Sequence, residues 1–181
     1  RLRLGDVRIE DGQVSYSNAV SGQTILAKGI NLSAAMTEIA APLTVKGQMT
    51  LNDEPVTADV SVDSLGRLQK GDQAKVKLAF DTKHLKAQFD GAAQEKPVPG
   101  LDGVFALNTP SVGSLMAWLQ QPLAKGQPDP GAFKIDAVFA SSGKQVSLKQ
   151  ATIVGTAIKA TASGMLDSSG PVPQLSLNVE S

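Results

Sequence analysis

The sequence predicts a mainly β fold: a large curved antiparallel sheet, trough-like or sandwich-like, of about twelve strands with a single α-helix near residues 110–121. Three observations predict it. Val56, Ala58, Val60 and Val62 alternate with Thr57, Asp59 and Ser61, and the same two-residue beat returns in Ala74, Val76, Leu78 and Phe80 and in Leu85, Ala87 and Phe89. A strand sends successive side chains to opposite faces, so each such segment has one apolar and one polar face. One stretch has another period: Val112, Leu115, Met116 and Leu119 fall at i, i+3, i+4 and i+7, a helical stripe. The connections between segments are short and rich in turn residues, which favours antiparallel neighbours.

Taken in order, a first strand spans 2–9, with a phase slip at Gly5 that suggests a bulge. Asp11 and Gly12 suit a hairpin turn into a strand carrying Val14 and Tyr16. A polar loop with Ser21 and Gly22 leads to a strand carrying Leu26, Ile30 and Leu32, whose pattern Lys28 breaks. Strands at 43–51 and 56–62 flank a turn at Asn52 and Asp53, and 65–71 reads as a loop. The strands beginning at Ala74 and Leu85 form a hairpin around Asp81, Thr82 and Lys83. A Pro/Gly-rich break at 95–100 precedes a strand at 101–107. In the helix, Thr109 is the expected cap, Pro110 suits the first turn, and Pro122 stops it for want of an amide hydrogen. After a second Pro/Gly-rich loop the strand beat resumes at 133–139, 146–148, 158–166 and 175–179.

Composition narrows the function classes. At 181 residues and 41% hydrophobic, the chain reads as one β-rich module, 1–181, able to bury a core. Lys plus Arg and Asp plus Glu are 17 each, so no basic surplus points to nucleic acid or to anionic lipid surfaces. There is no cysteine, hence no disulfide framework and no thiolate metal site. The chain opens in strand-like sequence and stops in another, which reads as a piece of a longer protein. The Asn31 sequon reads as a chance match on a strand.

No catalytic constellation, metal cluster or cofactor motif stands out, and a non-enzymatic role is expected. His84, the single histidine, reads as a surface residue beside a turn. Ser141 and Lys144 match Ser-x-x-Lys without its companion motifs and read as a turn. Carboxylates such as Asp11, Asp53 and Asp167 sit in turn chemistry. Trp118, beside the helical stripe, is expected to pack the helix onto the sheet.

What covers the apolar face decides function. A dozen strands at about 4.8 Å spacing span more than about 50 Å. One helix, about 10 Å across, covers two or three of them. Each uncovered Val, Leu or Phe forgoes roughly 1.5–3 kcal/mol. The sheet therefore closes on itself as a sandwich, closes as a barrel, or forms an open trough that holds something apolar. Aromatics at 4% argue against an outer-membrane barrel with its aromatic girdles. Small residues on the same face (Gly47, Ala58, Ala74, Ala87, Ala137, Ala160, Ala162 and Gly164) suit either close sheet packing or room for acyl chains. The expected inner wall comprises Val45, Val60, Val76, Leu78, Phe80, Phe89, Phe133, Ile135 and Phe139.

Several stretches together resemble the AsmA family. They are 4–16, with its Asp-Gly pair and closing Tyr16, followed by Ser21, Gly22, Gln23 and Thr24; then 30–33 and 42–47; then Pro110 to Leu115 with Trp118 and Leu119; and finally 164–167 and 170–177. The resemblance covers essentially the whole chain and rests on the order and spacing of turn motifs. It implies a module of a larger Gram-negative envelope protein, held in the inner membrane by an anchor not found in these residues and projecting into the periplasm. It also implies kinship with bridge-like lipid carriers and a role in outer-membrane biogenesis. The implied function is shielding of phospholipid acyl chains in an apolar β-groove during transport between membranes. The implied partners are phospholipid, flanking segments of the same longer chain and the inner membrane, with no nucleic acid. The alternative is an envelope scaffold with a closed sandwich core and no ligand.

Overall fold

The computed structural model describes residues 4–18, 23–170 and 172–181. One eleven-stranded sheet contains every described strand, in chain order. The strands are β1 (Leu4–Asn18), β2 (Gln23–Met36), β3 (Leu43–Leu51), β4 (Glu54–Val62), β5 (Ala74–Thr82) and β6 (Lys86–Gln94). They continue as β7 (Gly100–Thr109), β8 (Phe133–Ser142), β9 (Gln145–Gly155), β10 (Lys159–Asp167) and β11 (Gln174–Glu180). Each pairs antiparallel with the next. β1 and β11 are the two edges, so the sheet is open: neither a barrel nor a closed sandwich forms among the described residues. The sandwich-like option is corrected accordingly.

The strand count is eleven rather than about twelve because Asp11 and Gly12 do not turn the chain around. They form a bulge inside one 15-residue strand. Asp11 takes a left-handed φ of 50°, and its amide donates to Asn31 Oδ1 at 3.2 Å. Opposite, Gly29 has φ 56° and accepts from Asn31 Nδ2 at 3.0 Å. The register slips on both strands at this level, between Ile9 and Gly12 and between Lys28 and Asn31. The paired slips keep Val7, Ile9 and Val14 on one face despite their odd spacing, and explain why Lys28 broke the alternation of β2. The expected slip near Gly5 is also present, between Leu4 and Val7. The loop expected at Ser21 and Gly22 lies outside the described residues.

Among the described residues two helices, not one, accompany the sheet. α1 (Leu65–Lys70) occupies the expected 65–71 loop. Ser64 caps it, its Oγ accepting from Arg67 N at 3.2 Å, and Gly71 ends it at φ 89°, donating to Leu68 O at 2.9 Å. Six residues are too few to show a helical period, which is why the alternation argument passed over it. α2 (Val112–Trp118) is shorter than the expected 110–121. Its cap is Ser111 rather than Thr109, with Oγ accepting from Ser114 N at 2.9 Å. Thr109 instead is buried, donating to Ser111 O at 3.0 Å. Pro110 therefore precedes the cap.

A glycine pair sets the relief of the apolar face. Gly91 and Gly103 are opposed in β6 and β7. A Cβ on Gly103 would lie 2.5 Å from Asp90 O and 2.8 Å from Phe89 Cε2, and one on Gly91 would lie 2.5 Å from Phe89 Cζ and collide with Asp102 O. The Phe89 ring fills this level and meets the ring of Phe139, two strands away, at 5.7 Å. Gly103→Ala is expected to cost about 1–3 kcal/mol in denaturant unfolding, because the added methyl meets backbone rather than a movable side chain. An unchanged midpoint would contradict this packing.

Candidate functional site: the apolar face of the sheet

The register builds the site. Directly opposed residues on neighbouring strands share a face. Following the pairs from edge to edge gives one row: Val7, Ala34, Val45, Val60, Leu78, Phe89, Phe105, Ala137, Ala151, Ala162 and Val179. Every strand contributes an apolar residue. On the same face, the neighbouring row runs Ile9, Leu32, Gly47, Ala58, Phe80, Ala87, Leu107, Ile135, Ile153 and Ala160. The row through one position farther along each strand points to the other face: Arg8, Ser33, Lys46, Asp59, Ala79, Gln88, Ala106, Asp136, Thr152, Thr161 and Glu180. The apolar band is thus continuous across a sheet about 48 Å wide at 4.8 Å per strand.

All nine expected wall residues lie on this face. Val45, Val60, Leu78 and Phe89 belong to the first row, and Phe80 and Ile135 to the second. Val76 and Phe139 flank the Gly91–Gly103 pair, and Phe133 opposes Thr109 at the end of β8. The same face also holds Phe105, Leu107, Leu148 and Ile153, which the inner-wall set omitted. Phe105 and Leu107 were legible from the 101–107 alternation. Leu148 was not, because a slip between Val138 and Phe139 in the β8–β9 register moves it onto the face of Ala151, three positions away. There it packs against the cluster of Ala137, Ala151 and Ala162.

The helices cover the two ends of the strands, while Phe89 and the Ala137, Ala151 and Ala162 cluster are buried within the middle row by their neighbours on the sheet. At one end Val56 and Thr109 are each 1% exposed and Thr82 is buried, and here α2 docks. At the other end Met36, Val62, Ser64 and Ala74 are buried beside α1. Thr57, Asp81 and Asn108, neighbours of these positions on the opposite face, are exposed, so the cover lies on the apolar side. Between the helices no element lies over the band: Val45, Val60 and Phe105 are half-buried and Leu78 is 43% exposed, with Phe89 between them buried. The opposite face has a shallow depression of about 490 Å³ over β3 to β7. Its floor includes Ala79, Val104 and Ala106, and its walls include Lys46, Asp59 and the Lys77–Asp90 ion pair at 2.7 Å. It is local, with an apolar floor inside a charged rim, whereas the apolar band crosses the whole sheet.

His84 is not a surface residue. It is buried, stacked on Trp118 with centroids 5.5 Å apart, and its Nδ1 lies 3.0 Å from Ser114 Oγ. Its Nε2 lies 3.6 Å from Glu54 Oε1. The Lys83 ammonium, hydrogen-bonded to Glu54 at 3.0 Å, holds that carboxyl below its ordinary range. Trp118 Nε1 donates to Leu51 O at 3.0 Å, and Asn52 Nδ2 donates to Trp118 O at 3.0 Å. These contacts fasten α2 to the β3–β4 and β5–β6 turns, as the tryptophan was expected to do. Ser141 is likewise committed: its Oγ donates to Leu101 O at 3.1 Å and accepts from Leu101 N at 3.0 Å.

Asp129 closes the other side of α2. It accepts from Ser111 Oγ at 2.6 Å, Gly113 N at 2.8 Å and Gly131 N at 2.9 Å. The Ser111 hydroxyl first, then the Gly131 and Gly113 amides, hold its carboxyl below the usual aspartate range. A depressed pKa in the folded state gives a contribution fully present above the unfolded value of about 3.9 and lost as pH falls through the lower folded value. Hydrogen-exchange protection of residues 111–118 is therefore expected to hold from neutral pH down to about pH 4 and to fall below it. In Asp129→Asn this acid step should be missing.

No protein-family model, curated protein or solved structure matches this chain. Among the described residues no helix is long and apolar enough to cross a membrane.

Proposed function

We propose that this chain is a module of an AsmA-like periplasmic protein that shields phospholipid acyl chains on its apolar sheet face during transport between membranes, and so serves outer-membrane biogenesis. The observation that supports this reading is the unbroken apolar row over eleven strands, left open between two short end helices. A row of about 48 Å is roughly three times the depth of one bilayer leaflet, given a hydrocarbon core of about 30 Å. An acyl chain laid across the strands would gain about 0.8 kcal/mol for each methylene buried. The mechanism is passive: burial along the band, with the charged face in water and no covalent step. The single open layer of the described strands supports this reading over that of an envelope scaffold with a sealed sandwich core.

Native mass spectrometry of the purified chain tests the reading. Co-purified phospholipid, released by detergent and restored by exposure to vesicles, is the expected result. Protein that emerges without lipid and takes none from vesicles would overturn it.

A further inference from the structure

We propose that Ser114, His84 and Glu54 form a second, reactive site, in which Ser114 is a nucleophile toward acyl esters with good leaving groups. The three residues are far apart in the chain and come from three elements: α2, the turn between β5 and β6, and the start of β4. Ser114 is exposed, and its Oγ lies 3.0 Å from Nδ1 of His84. His84 is buried, and its Nε2 faces Glu54 Oε1 at 3.6 Å. Glu54 is held in turn by the Lys83 ammonium at 3.0 Å, which keeps its carboxyl ionised. A reachable hydroxyl, an imidazole within hydrogen-bond distance and a carboxylate behind the ring fill the three roles that an activated serine requires. Trp118, stacked on the imidazole with an interplanar angle of 21°, fixes the ring between its two partners. A carboxylate facing Nε2 favours the tautomer with its proton there. The Nδ1 lone pair is then left to accept from the Ser114 hydroxyl. The tie between α2 and the sheet is already made by Trp118 and Asn52, and does not itself call for a carboxylate behind the ring.

In the reaction, Ser114 Oγ bonds to the ester carbonyl carbon as its proton passes to His84 Nδ1, and the Glu54 carboxylate offsets the imidazolium charge. The tetrahedral adduct collapses, the bond from carbon to the leaving oxygen or sulfur breaks, and the leaving group takes the Nδ1 proton. Water, giving a proton to Nδ1, then displaces the acyl group from Ser114 as a carboxylic acid, and that proton returns to Oγ. Water is the only co-reactant. The amides of the first turn of α2 are already engaged: Val112 N with Gly131 O, Gly113 N with Asp129 Oδ1 and Ser114 N with Ser111 Oγ. They do not offer donors to the oxyanion, whose charge is left to water. This sets the substrate class: esters of phenols and thioesters, whose leaving groups depart without strong oxyanion stabilisation, rather than alkyl esters or amides. The alkyl esters of a phospholipid fall outside it, so this site does not consume the cargo proposed above.

Reaction of the full chain with p-nitrophenyl acetate tests the proposal. Peptide mass mapping should find an acetyl ester on Ser114, removed by hydroxylamine and absent in Ser114→Ala. His84→Gln should lower the acetylation rate about 10²–10⁴-fold, the usual contribution of a positioned base. Glu54→Gln, which alters neither the hydroxyl nor the imidazole, should lower it at least about tenfold by releasing the tautomer. The wild-type rate should level off with rising pH along the titration of His84, followed independently by NMR of its ring protons. This last readout needs no variant, and a Ser114–His84 contact that were structural only would not produce it. An absence of acetyl ester on Ser114 would overturn the proposal. So would a rate that climbs with hydroxide without levelling, or an unchanged rate in His84→Gln that keeps hydrogen-exchange protection of residues 112–118.

Discussion

Replacing Leu78 by aspartate is expected to strip co-purified phospholipid from the protein while leaving it folded. Leu78 sits mid-row between Val60 and Phe89 and is 43% exposed, at the point where neither helix reaches. A carboxylate there keeps much of its hydration, so the fold should lose only about 1–2 kcal/mol of apolar packing. With an acyl chain lying across it the same carboxylate would be desolvated, at a cost of several kcal/mol. Bound lipid should then fall at least about tenfold for each 1.4 kcal/mol of that cost. Val76→Asp and Phe139→Asp, at half-buried positions of the same face, should behave alike with a larger loss of stability. Val56→Asp, at a position 1% exposed beneath the covered end, should unfold the chain and serves as the contrast. Lipid stoichiometry by native mass spectrometry and a melting curve read the two effects apart. Folded Leu78→Asp protein carrying undiminished lipid would show that acyl chains do not use this band.

Trp118→Ala should bring a large loss of stability, about 3–5 kcal/mol. Trp118 is the only buried residue of α2, and a seven-residue helix has no stability apart from its docking. The indole supplies the stack on His84 and the bond to Leu51 O, and its backbone carbonyl receives Asn52. Removing it should free α2, expose Val56 and Thr82, and abolish hydrogen-exchange protection over 112–118. Trp118→Phe keeps one aromatic ring but loses the N–H and part of the indole's area, so it should cost less than the alanine change, about 1–3 kcal/mol. An alanine variant as stable as wild type would mean that α2 is held by Asp129 and the loop alone.

The alternation of apolar residues was legible because side-chain direction in a strand depends only on position along it. Asn52 and Asp53 were legible as a tight turn, and they take left-handed φ values of 49° and 64° between paired β3 and β4. Asp11 and Gly12 were misread because the same residue types suit a hairpin turn and a bulge. The choice was made by β2, whose Gly29 and Asn31 supply the matching irregularity. His84 was misread because its neighbours along the chain are turn residues, whereas its cover comes from α2, with Ser114 thirty positions away.

By itself the sequence determined which residues share a face and that the chain is mainly strand, since both follow from local periodicity. It left open whether two layers would seal that face. Only the tertiary structure decided this, because the outcome depends on which strands pair. With every strand paired to its neighbour in the chain, one sheet results, the helices reach only its ends, and the middle of the apolar band stays open.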